Sequence, residues 1–333
     1  MKAMRLLAPR PVESSPLVWS EVPVPQPGQG QLRLRVTNCG VCHTDLHIAE
    51  GELRPPALPL IPGHQIVGVV DALGEGSGHF VSLGQRLGVP WLFGTCGFCD
   101  MCHRGQENLC PRALFTGFNV NGGFAEYVIA NEDFCIPIPM GLEDVLAAPL
   151  LCAGIIGYRS LKQVGLQAGE RLGLFGFGAS AHLAIQVANI WQCETYVFTR
   201  SPEHRQHALQ LGAAWVGTVE DKAPEMLDRA VIFAPAGNLV PVALSKVRPG
   251  GKVAINAIFM SDIPTFPYPL IYGERMLCSI TNATRQDGEE FFMLAMGLDL
   301  KVAVTEYALK DANRALDDMK HSRFNGEAVL RIG

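Results

Sequence analysis

The sequence predicts an α/β protein of two domains, one rich in β-strands and one built on a doubly wound parallel sheet. Its 333 residues are 48% hydrophobic, which suffices for about two domains of ~150 residues with their own cores. The first ~150 residues are rich in Pro and Gly and contain short alternating runs such as 31–36. From residue 153 onward, strand and helix patterns alternate, as they do in doubly wound folds.

The elements of the second half follow one another in the order that such a sheet needs. Strands are expected at 172–175, 195–199, 230–234 and 252–257. After the first strand, apolar residues at Ala184, Val187, Ala188 and Trp191 form one stripe of a helix.

The next helix of this half has clear boundary signals. It is expected to begin with Ser201 as N-cap and Pro202 at its first position, and to end before Gly212. Two later helical patterns, 289–295 and 309–319, fit either domain.

Charge and targeting signals restrict the partners and the location. Lys and Arg number 27 against 32 Asp and Glu, a net charge of −5, so no basic field favours nucleic acid. No apolar run near residue 1 resembles a signal peptide, and we expect a cytoplasmic protein. The uncharged stretch 172–193 is long enough to span a bilayer, but glycines and polar residues interrupt it, and no membrane span is expected.

Four cysteines form the strongest local motif, Cys96-x2-Cys99-x2-Cys102-x7-Cys110, within the segment 94–112. Four thiolates so close in the chain can surround one tetrahedral ion, and an all-cysteine site without an open position is structural. An iron–sulfur cluster and a pair of disulfides are the alternatives. An iron–sulfur motif normally has fewer residues before its fourth cysteine, and a reducing cytoplasm disfavours disulfides.

A glycine loop between a strand and an apolar helix predicts a dinucleotide site in the segment RLGLFGFGASA (171–181). Gly176 allows the tight turn, Gly178 lets the backbone approach a pyrophosphate at the helix N-terminus beside Ala179, and Ala181 takes the helix-packing place.

The end of the second strand decides which dinucleotide is bound. A carboxylate there would hold the ribose diol of NAD, but the chain has Thr199, Arg200 and Ser201 instead. A guanidinium flanked by hydroxyls suits a 2′-phosphate. The alternative is that Arg200 is a solvated surface residue. We therefore expect NADP(H) rather than NAD(H).

Taken with these motifs, the chain resembles the zinc-dependent medium-chain alcohol dehydrogenase family over nearly its whole length. Besides the cysteine motif, the matching segments are CGVCHTDLH (39–47), PGHQIVGVV (62–70), GGFAEY (122–127), PLLCAG (149–154) and GFGASA (176–181). The resemblance implies a GroES-like, partly closed β-barrel over 1–152 and 283–333 that carries the catalytic zinc, and a Rossmann domain over 153–282.

The resemblance also implies two zinc ions per chain. Cys42, His64 and Cys152 match the ligands of the catalytic ion, although each taken alone could be a core thiol or a turn histidine. Three protein ligands leave one position for a substrate oxygen, which the metal polarises. The four cysteines of 94–112 match the structural zinc site.

Further residues near the catalytic site receive roles from the same resemblance. Thr44 matches the hydroxyl that accepts the substrate proton, and His47 the imidazole that passes it to solvent. Asp45 matches the carboxylate that orients the ligand histidine, and His43 a residue beside the cofactor pyrophosphate. Thr44 and Asp45 could instead cap a helix, and His47 could be an ordinary surface residue.

Two positions depart from the family pattern. Gln65 stands where many members have a glutamate behind the zinc, which puts metal-ligand exchange in doubt. Glu327 stands where members often have an arginine that reaches the cofactor phosphates, so we expect a weaker grip on the cofactor or a substitute base.

Substrate and assembly are less determined. Trp91 matches an aromatic residue of the substrate cleft, and the small Ala49 hints at room for medium-sized alcohols and aldehydes. Homologues of this kind imply a dimer or tetramer. The alternatives are a polyol or formaldehyde-type dehydrogenase of the same family, and a non-catalytic zinc and nucleotide-binding redox sensor.

Overall fold

The computed structural model describes all 333 residues and divides the chain into two compact units. The first unit comprises 1–152 and 282–333, and the second comprises 153–281.

The N-terminal part of the first unit is mostly β-structure. Its strands are β1 (Lys2–Leu6), β2 (Leu17–Glu21), β3 (Gln31–Val41), β4 (Gln65–Leu73), β5 (Arg86–Val89), β6 (Leu92–Gly94), β7 (Leu114–Phe115), β8 (Tyr127–Asn131) and β9 (Ile136–Pro137). Its helices are α1 (His43–Glu50), α2 (Asp100–His103) and α3 (Asp144–Pro149), and a π-helical segment, Leu150–Gly154, follows α3 directly.

The second unit is a six-stranded parallel sheet with helical connections. It contains α4 (Ile155–Gln163), β10 (Arg171–Phe175), α5 (Ala179–Ile190), β11 (Glu194–Phe198), α6 (Pro202–Gln210), β12 (Trp215–Gly217), β13 (Leu227–Ile232), α7 (Leu239–Lys246), β14 (Val247–Ile255) and β15 (Met276–Ser279). The spatial order β12-β11-β10-β13-β14-β15, with every pair parallel, is that of the Rossmann fold. The predicted doubly wound sheet is therefore confirmed, and its strand order reverses between β10 and β13.

The C-terminal segment returns to the first unit. It contains α8 (Arg285–Met296), β16 (Val304–Ala308), α9 (Ala312–Lys320) and β17 (Glu327–Arg331). Strand β17 pairs antiparallel with β3, which gives the sheet order β16-β17-β3-β4-β5-β9. Strands from both ends of the chain therefore share one sheet, and β17 lies beside the C-terminal end of β3.

Alternating side chains explain why β3 forms. Leu32, Leu34 and Val36 are buried in the core of the first unit, whereas Arg35 between them is exposed. Successive residues of a strand point to opposite faces of the sheet, so this alternation gives the sheet one core face.

The helix signals of the second unit act as the sequence predicts. Ser201 caps α6 by accepting a hydrogen bond from the His204 N–H, and Pro202 begins the helix. Gly212 follows the helix with φ of +92°, a conformation that glycine adopts without strain. The stripe on α5 is buried at Ala184, Val187 and Ala188.

Two apolar stretches have the length of a membrane span. The stretch 172–193 is divided between β10, a loop and α5. A helical stretch, Asp144–Val164, is long and apolar enough to cross a membrane by length and composition, but most of it is buried inside the protein. Core helices satisfy the same criteria.

Candidate active site

Cys42 lies where β3 ends and α1 begins, and a reciprocal cap fixes its position. Its sulfur accepts a hydrogen bond from the Thr44 N–H at 3.3 Å. In return, Asp45 Oδ2 accepts the Cys42 N–H at 3.0 Å. Cys42 is therefore the N-cap of α1 and Asp45 completes the capping box, whereas Thr44 contributes only its backbone N–H; the cap holds the thiol at the helix N-terminus.

His64 directly precedes β4 and faces Cys42. Its Nε2 lies 3.2 Å from Cys42 Sγ, and its Nδ1 lies 3.3 Å from Asp45 Oδ1. The imidazole is only 1% exposed. Asp45 Oδ1 also accepts the Gly63 N–H at 3.0 Å, so one buried carboxylate holds both the histidine and the turn before it. This is the arrangement by which a carboxylate orients a metal-binding histidine.

Cys152 reaches the same place from the π-helical segment that follows α3. Single turns of π-helix occur frequently at functional sites. The potential ligand atoms of Cys42, His64 and Cys152 all lie within 4.8 Å of one another. The structure thus brings together three residues of which the first and the last are 110 positions apart in the sequence.

The chemistry of these donors fits zinc. A hydrogen bond from the Cys152 thiol, together with the neighbouring His64, holds the pKa of Cys42 well below its usual range. The thiolate is the form that binds metal. Two sulfurs and one imidazole make a donor set typical of zinc in dehydrogenases, and three protein ligands leave a fourth position open.

The four-cysteine lobe forms a second, separate donor set. The sulfurs of Cys96, Cys99, Cys102 and Cys110 all lie within 4.8 Å of one another. Backbone N–H groups of Cys96 and Arg112 point at Cys110 Sγ, at 3.5 and 3.4 Å. The sulfurs of Cys99 and Cys102, and those of Cys96 and Cys110, are 3.5 Å apart, far beyond a disulfide bond. Four thiols around one point fit a closed structural zinc site.

The proposed proton-relay residues follow Cys42 on α1. The His47 Nδ1 forms a hydrogen bond with Glu52 Oε2, and the histidine side chain is 13% exposed. Glu52 was not singled out from the sequence, because an acidic residue in a polar loop carries no distinctive signal. Thr44 is half-buried beside Cys42, and His43 is exposed.

Aromatic rings line one side of the histidine. Trp91 meets His64 edge-on, with ring centroids 4.7 Å apart, and stacks on Phe115 at 5.1 Å. Ala49 differs, since it is 0% exposed within the core of the first unit. Its side chain has no surface with which to line a pocket, so the expectation that Ala49 widens the substrate pocket is wrong.

Glu327 is found in an unexpected place. It lies on β17 in the first unit, it is 2% exposed, and its Oε1 accepts a hydrogen bond from Gln65 Nε2. A side chain buried against Gln65 is not available to bind a solvent-facing phosphate. The weaker grip on the cofactor stays a prediction, since no arginine occupies this position, and Glu327 lies instead near the metal ligands.

The glycine loop of the second unit follows β10 at the point where the strand order reverses. Gly176 has φ of +93°, and a Cβ there would lie 3.0 Å from the Ala234 backbone nitrogen. Around Gly178, which precedes α5, a Cβ would meet nothing within 4 Å. Ala179 begins α5, and Ala181 is buried. The loop thus combines a tight turn with an open approach to a helix N-terminus, which fits a pyrophosphate.

The end of β11 presents Arg200 to solvent. Neighbouring groups already have partners: the Thr199 N–H donates to the Gly217 carbonyl, and the Ser201 hydroxyl donates to Glu203 at 2.7 Å. The carboxylate of Glu194 lies at the start of the strand and pairs with Arg171. Arg200 is therefore the charged group at the strand end.

A cysteine–histidine metal centre with an open position, carried by a chain that also has a Rossmann sheet and its glycine loop, defines a metal-dependent dehydrogenase. Comparison with known families agrees. Residues 28–140 match the alcohol dehydrogenase GroES-like domain, and residues 181–296 match the zinc-binding dehydrogenase domain.

Individual relatives extend the match to the whole chain. The chain is 44% identical to a probable alcohol dehydrogenase of Mycobacterium tuberculosis, covering 100% of this chain and 97% of the relative. It is 35% identical to an alcohol dehydrogenase of Geobacillus stearothermophilus, covering 95% and 96%. A solved cinnamyl alcohol dehydrogenase from Sorghum bicolor superposes with a TM-score of 0.90 at 26% identity, covering 99% and 97%. The chain belongs to the zinc-dependent medium-chain alcohol dehydrogenase family.

Proposed function

We propose that this protein is an alcohol dehydrogenase or aldehyde reductase that transfers hydride between NADP(H) and a small alcohol or aldehyde. The observation that carries the proposal is the convergence of Cys42, His64 and Cys152 within 4.8 Å. The same chain has a glycine loop suited to a dinucleotide. Its relatives of similar length carry the name alcohol dehydrogenase.

The residues of the first unit take complementary roles. Zinc, when bound by these three ligands, supplies Lewis-acid polarisation of the substrate oxygen. Asp45 orients His64 and holds the turn that carries it. Trp91 provides an apolar wall beside His64. Thr44 accepts the substrate proton, and His47, oriented by Glu52, delivers it to solvent.

The decisive experiment measures initial rates of NADPH and NADH oxidation by zinc-loaded protein, with benzaldehyde and short aldehydes as substrates near neutral pH. Faster turnover with NADPH supports both the reaction and the cofactor assignment. Faster turnover with NADH retains the reaction but overturns the cofactor assignment. Absence of turnover with either cofactor contradicts the proposed reaction for these substrates.

Cofactor choice is assigned to Arg200. A guanidinium–phosphate contact contributes about 1.5–3 kcal/mol, so Arg200→Asp should lower the ratio of kcat/KM with NADPH to that with NADH by at least about 10-fold. Arg205→Asp, on the following helix, makes the same change of charge and serves as control. An unchanged ratio in Arg200→Asp would refute the assignment.

We also propose a homo-oligomer in the cytoplasm. Strand β15 is an edge of the six-stranded sheet, and Tyr272 and Met276 near it are largely exposed. Exposed apolar groups at a sheet edge favour association. A reducing cytoplasm keeps clustered thiols free to bind metal. Light scattering during size-exclusion chromatography tests the assembly, and a monomeric mass would contradict it.

A further inference from the structure

Glu327 is a buried carboxylate without a cation beside it. No ion pair of the structure includes it, and its Oε2 has no hydrogen-bond partner. The Oε1 of its partner, Gln65, is likewise buried and unpartnered. Burial raises the pKa of the Glu327 carboxyl well above its usual range. Burying a carboxylate without a compensating charge costs free energy, so a cation that balances Glu327 would explain its presence.

The hydrogen bond between Gln65 and Glu327 crosses an intervening strand. Strand β3 lies between β4 and β17, and its Gly40 is directly opposite both Gln65 and Val329. A Cβ on Gly40 would lie 2.7 Å from Gln65 Oε1. The glycine therefore leaves the space through which the glutamine reaches a residue 262 positions away.

The charged groups around Glu327 are those of the metal centre. In the pairing of β17 with β3, Ala328 lies opposite Val41, so Glu327 is at the end of β3 where Cys42 follows. The groups that act electrostatically on Glu327 are Cys42, His64 and Asp45, and Glu327 acts on Cys152. Neither lysine nor arginine is among them. A divalent ion held by the three ligands would be the cation that Glu327 lacks.

We propose that Glu327, held in place by Gln65 across Gly40, is a positioning residue that strengthens binding of the catalytic metal ion. This inference rests on the proposed function. Glu327 does not belong to the group of donors within 4.8 Å of one another. It therefore acts through its negative charge rather than as a ligand. The carboxylate behind the metal centre is thus supplied from β17, although the residue after His64 is a neutral glutamine.

The test compares Glu327→Gln with wild type in zinc affinity, measured by competition with a chelator and a colorimetric zinc indicator. Cys152→Ser identifies which of the two zinc ions belongs to the catalytic site. We expect the zinc dissociation constant of that site to rise about 10- to 100-fold in Glu327→Gln, with no change at the four-cysteine site. Glu306→Gln, on the neighbouring strand β16 and partly exposed, is the matched control and should behave as wild type.

Thermal unfolding separates this role from a structural one. Glu327→Gln should leave the midpoint of the zinc-free protein no lower, because an amide of the same size can still accept the Gln65 hydrogen bond, and should reduce the gain in midpoint on adding zinc. A merely structural residue would lower both midpoints and leave zinc affinity unchanged, and that result would overturn the inference. Gly40→Ala, which displaces Gln65 but retains both side chains, should also weaken zinc binding. Unaltered zinc affinity in Gly40→Ala would contradict a role of the Gln65–Glu327 pair in metal binding.

The same experiment distinguishes two kinds of failure. If wild type binds two zinc ions and Cys152→Ser binds one, the metal centre stands, and normal zinc affinity in Glu327→Gln refutes this inference alone. If wild type and Cys152→Ser bind the same number of zinc ions, the proposed function itself loses its metal centre.

Discussion

The four-cysteine lobe and the Cys42–His64–Cys152 centre both gather metal donors within 4.8 Å, but they are built in different ways. The lobe takes all of its donors from 96–110, and three of its four cysteines are only partly buried. The second centre takes its donors from the end of β3, the residue before β4 and a π-helical turn. Its histidine is buried, Asp45 lies beside the imidazole, and His64 is among the charged groups that act on the buried Glu327.

This difference in construction matches a difference in task. A site with four thiolates from one loop is complete, so it can hold an ion that only stabilises the fold. A site with three donors, an open position and buried carboxylates around it can hold a metal and still accept a substrate oxygen. Removing one donor should therefore have different consequences in the two centres.

The largest expected effect is the loss of turnover in Cys152→Ser. Metal polarisation contributes several kcal/mol to catalysis, so kcat/KM should fall about 1000-fold. Circular dichroism should show a retained fold, because Cys152 is not needed to complete the lobe. Cys278→Ser, at a thiol outside both centres, provides the control. Full activity in Cys152→Ser would refute the assignment of the catalytic ligands.

Replacement in the lobe should act on stability instead. Cys102→Ser removes one of four donors, and loss of structural zinc should lower the free energy of unfolding of the first unit by about 3 kcal/mol. Urea denaturation with and without chelator measures this effect. In Cys102→Ser, chelator should lower the free energy of unfolding little further. Equal stability of Cys102→Ser and wild type would show that no ion stabilises the lobe.

An effect confined to acid pH concerns His182, a buried histidine of the second unit that lies outside both metal centres. Both ring nitrogens lack hydrogen-bond partners, and burial lowers the pKa of His182 to about 4. Folding thus favours the neutral imidazole. Its contribution is complete above pH 6.5 and is lost as the pH falls from 6.5 to 4, about 3 kcal/mol over the whole range.

His182→Leu should remove this dependence. Relative to wild type, the variant should become progressively more stable below pH 6.5, as measured by thermal unfolding at several pH values. His79→Leu makes the same substitution at an exposed histidine and serves as the control. If the stability difference between His182→Leu and wild type stays constant from pH 7 to 4, then His182 does not titrate as inferred.

Much of the fold was predictable because its signals are local. The alternation along β3, the cap at Ser201 and the glycine turn at Gly212 each depend on a few neighbouring residues. The strand order of the second unit follows from general rules for parallel sheets once its strands are recognised. The return of 282–333 to the first unit was implied by the family resemblance, since no local pattern requires it.

The candidate functional residues show the same difference between local and long-range signals. The cysteine spacing alone determined the lobe, because four donors within fifteen residues leave the chain few other ways to satisfy one ion. The strand–glycine–helix pattern predicted the glycine turn between β10 and α5, because a tight turn before a helix N-terminus is a local property, and its binding of a dinucleotide stays a prediction.

Only the tertiary structure decided the surroundings of the other metal centre. The bond between Gln65 and Glu327 depends on strands from opposite ends of the chain lying on either side of Gly40. No short-range pattern marks two residues that meet across a third strand. The sequence therefore left Gln65 and Glu327 as two separate departures from the family, and the sheet joins them into one buried pair beside the metal ligands.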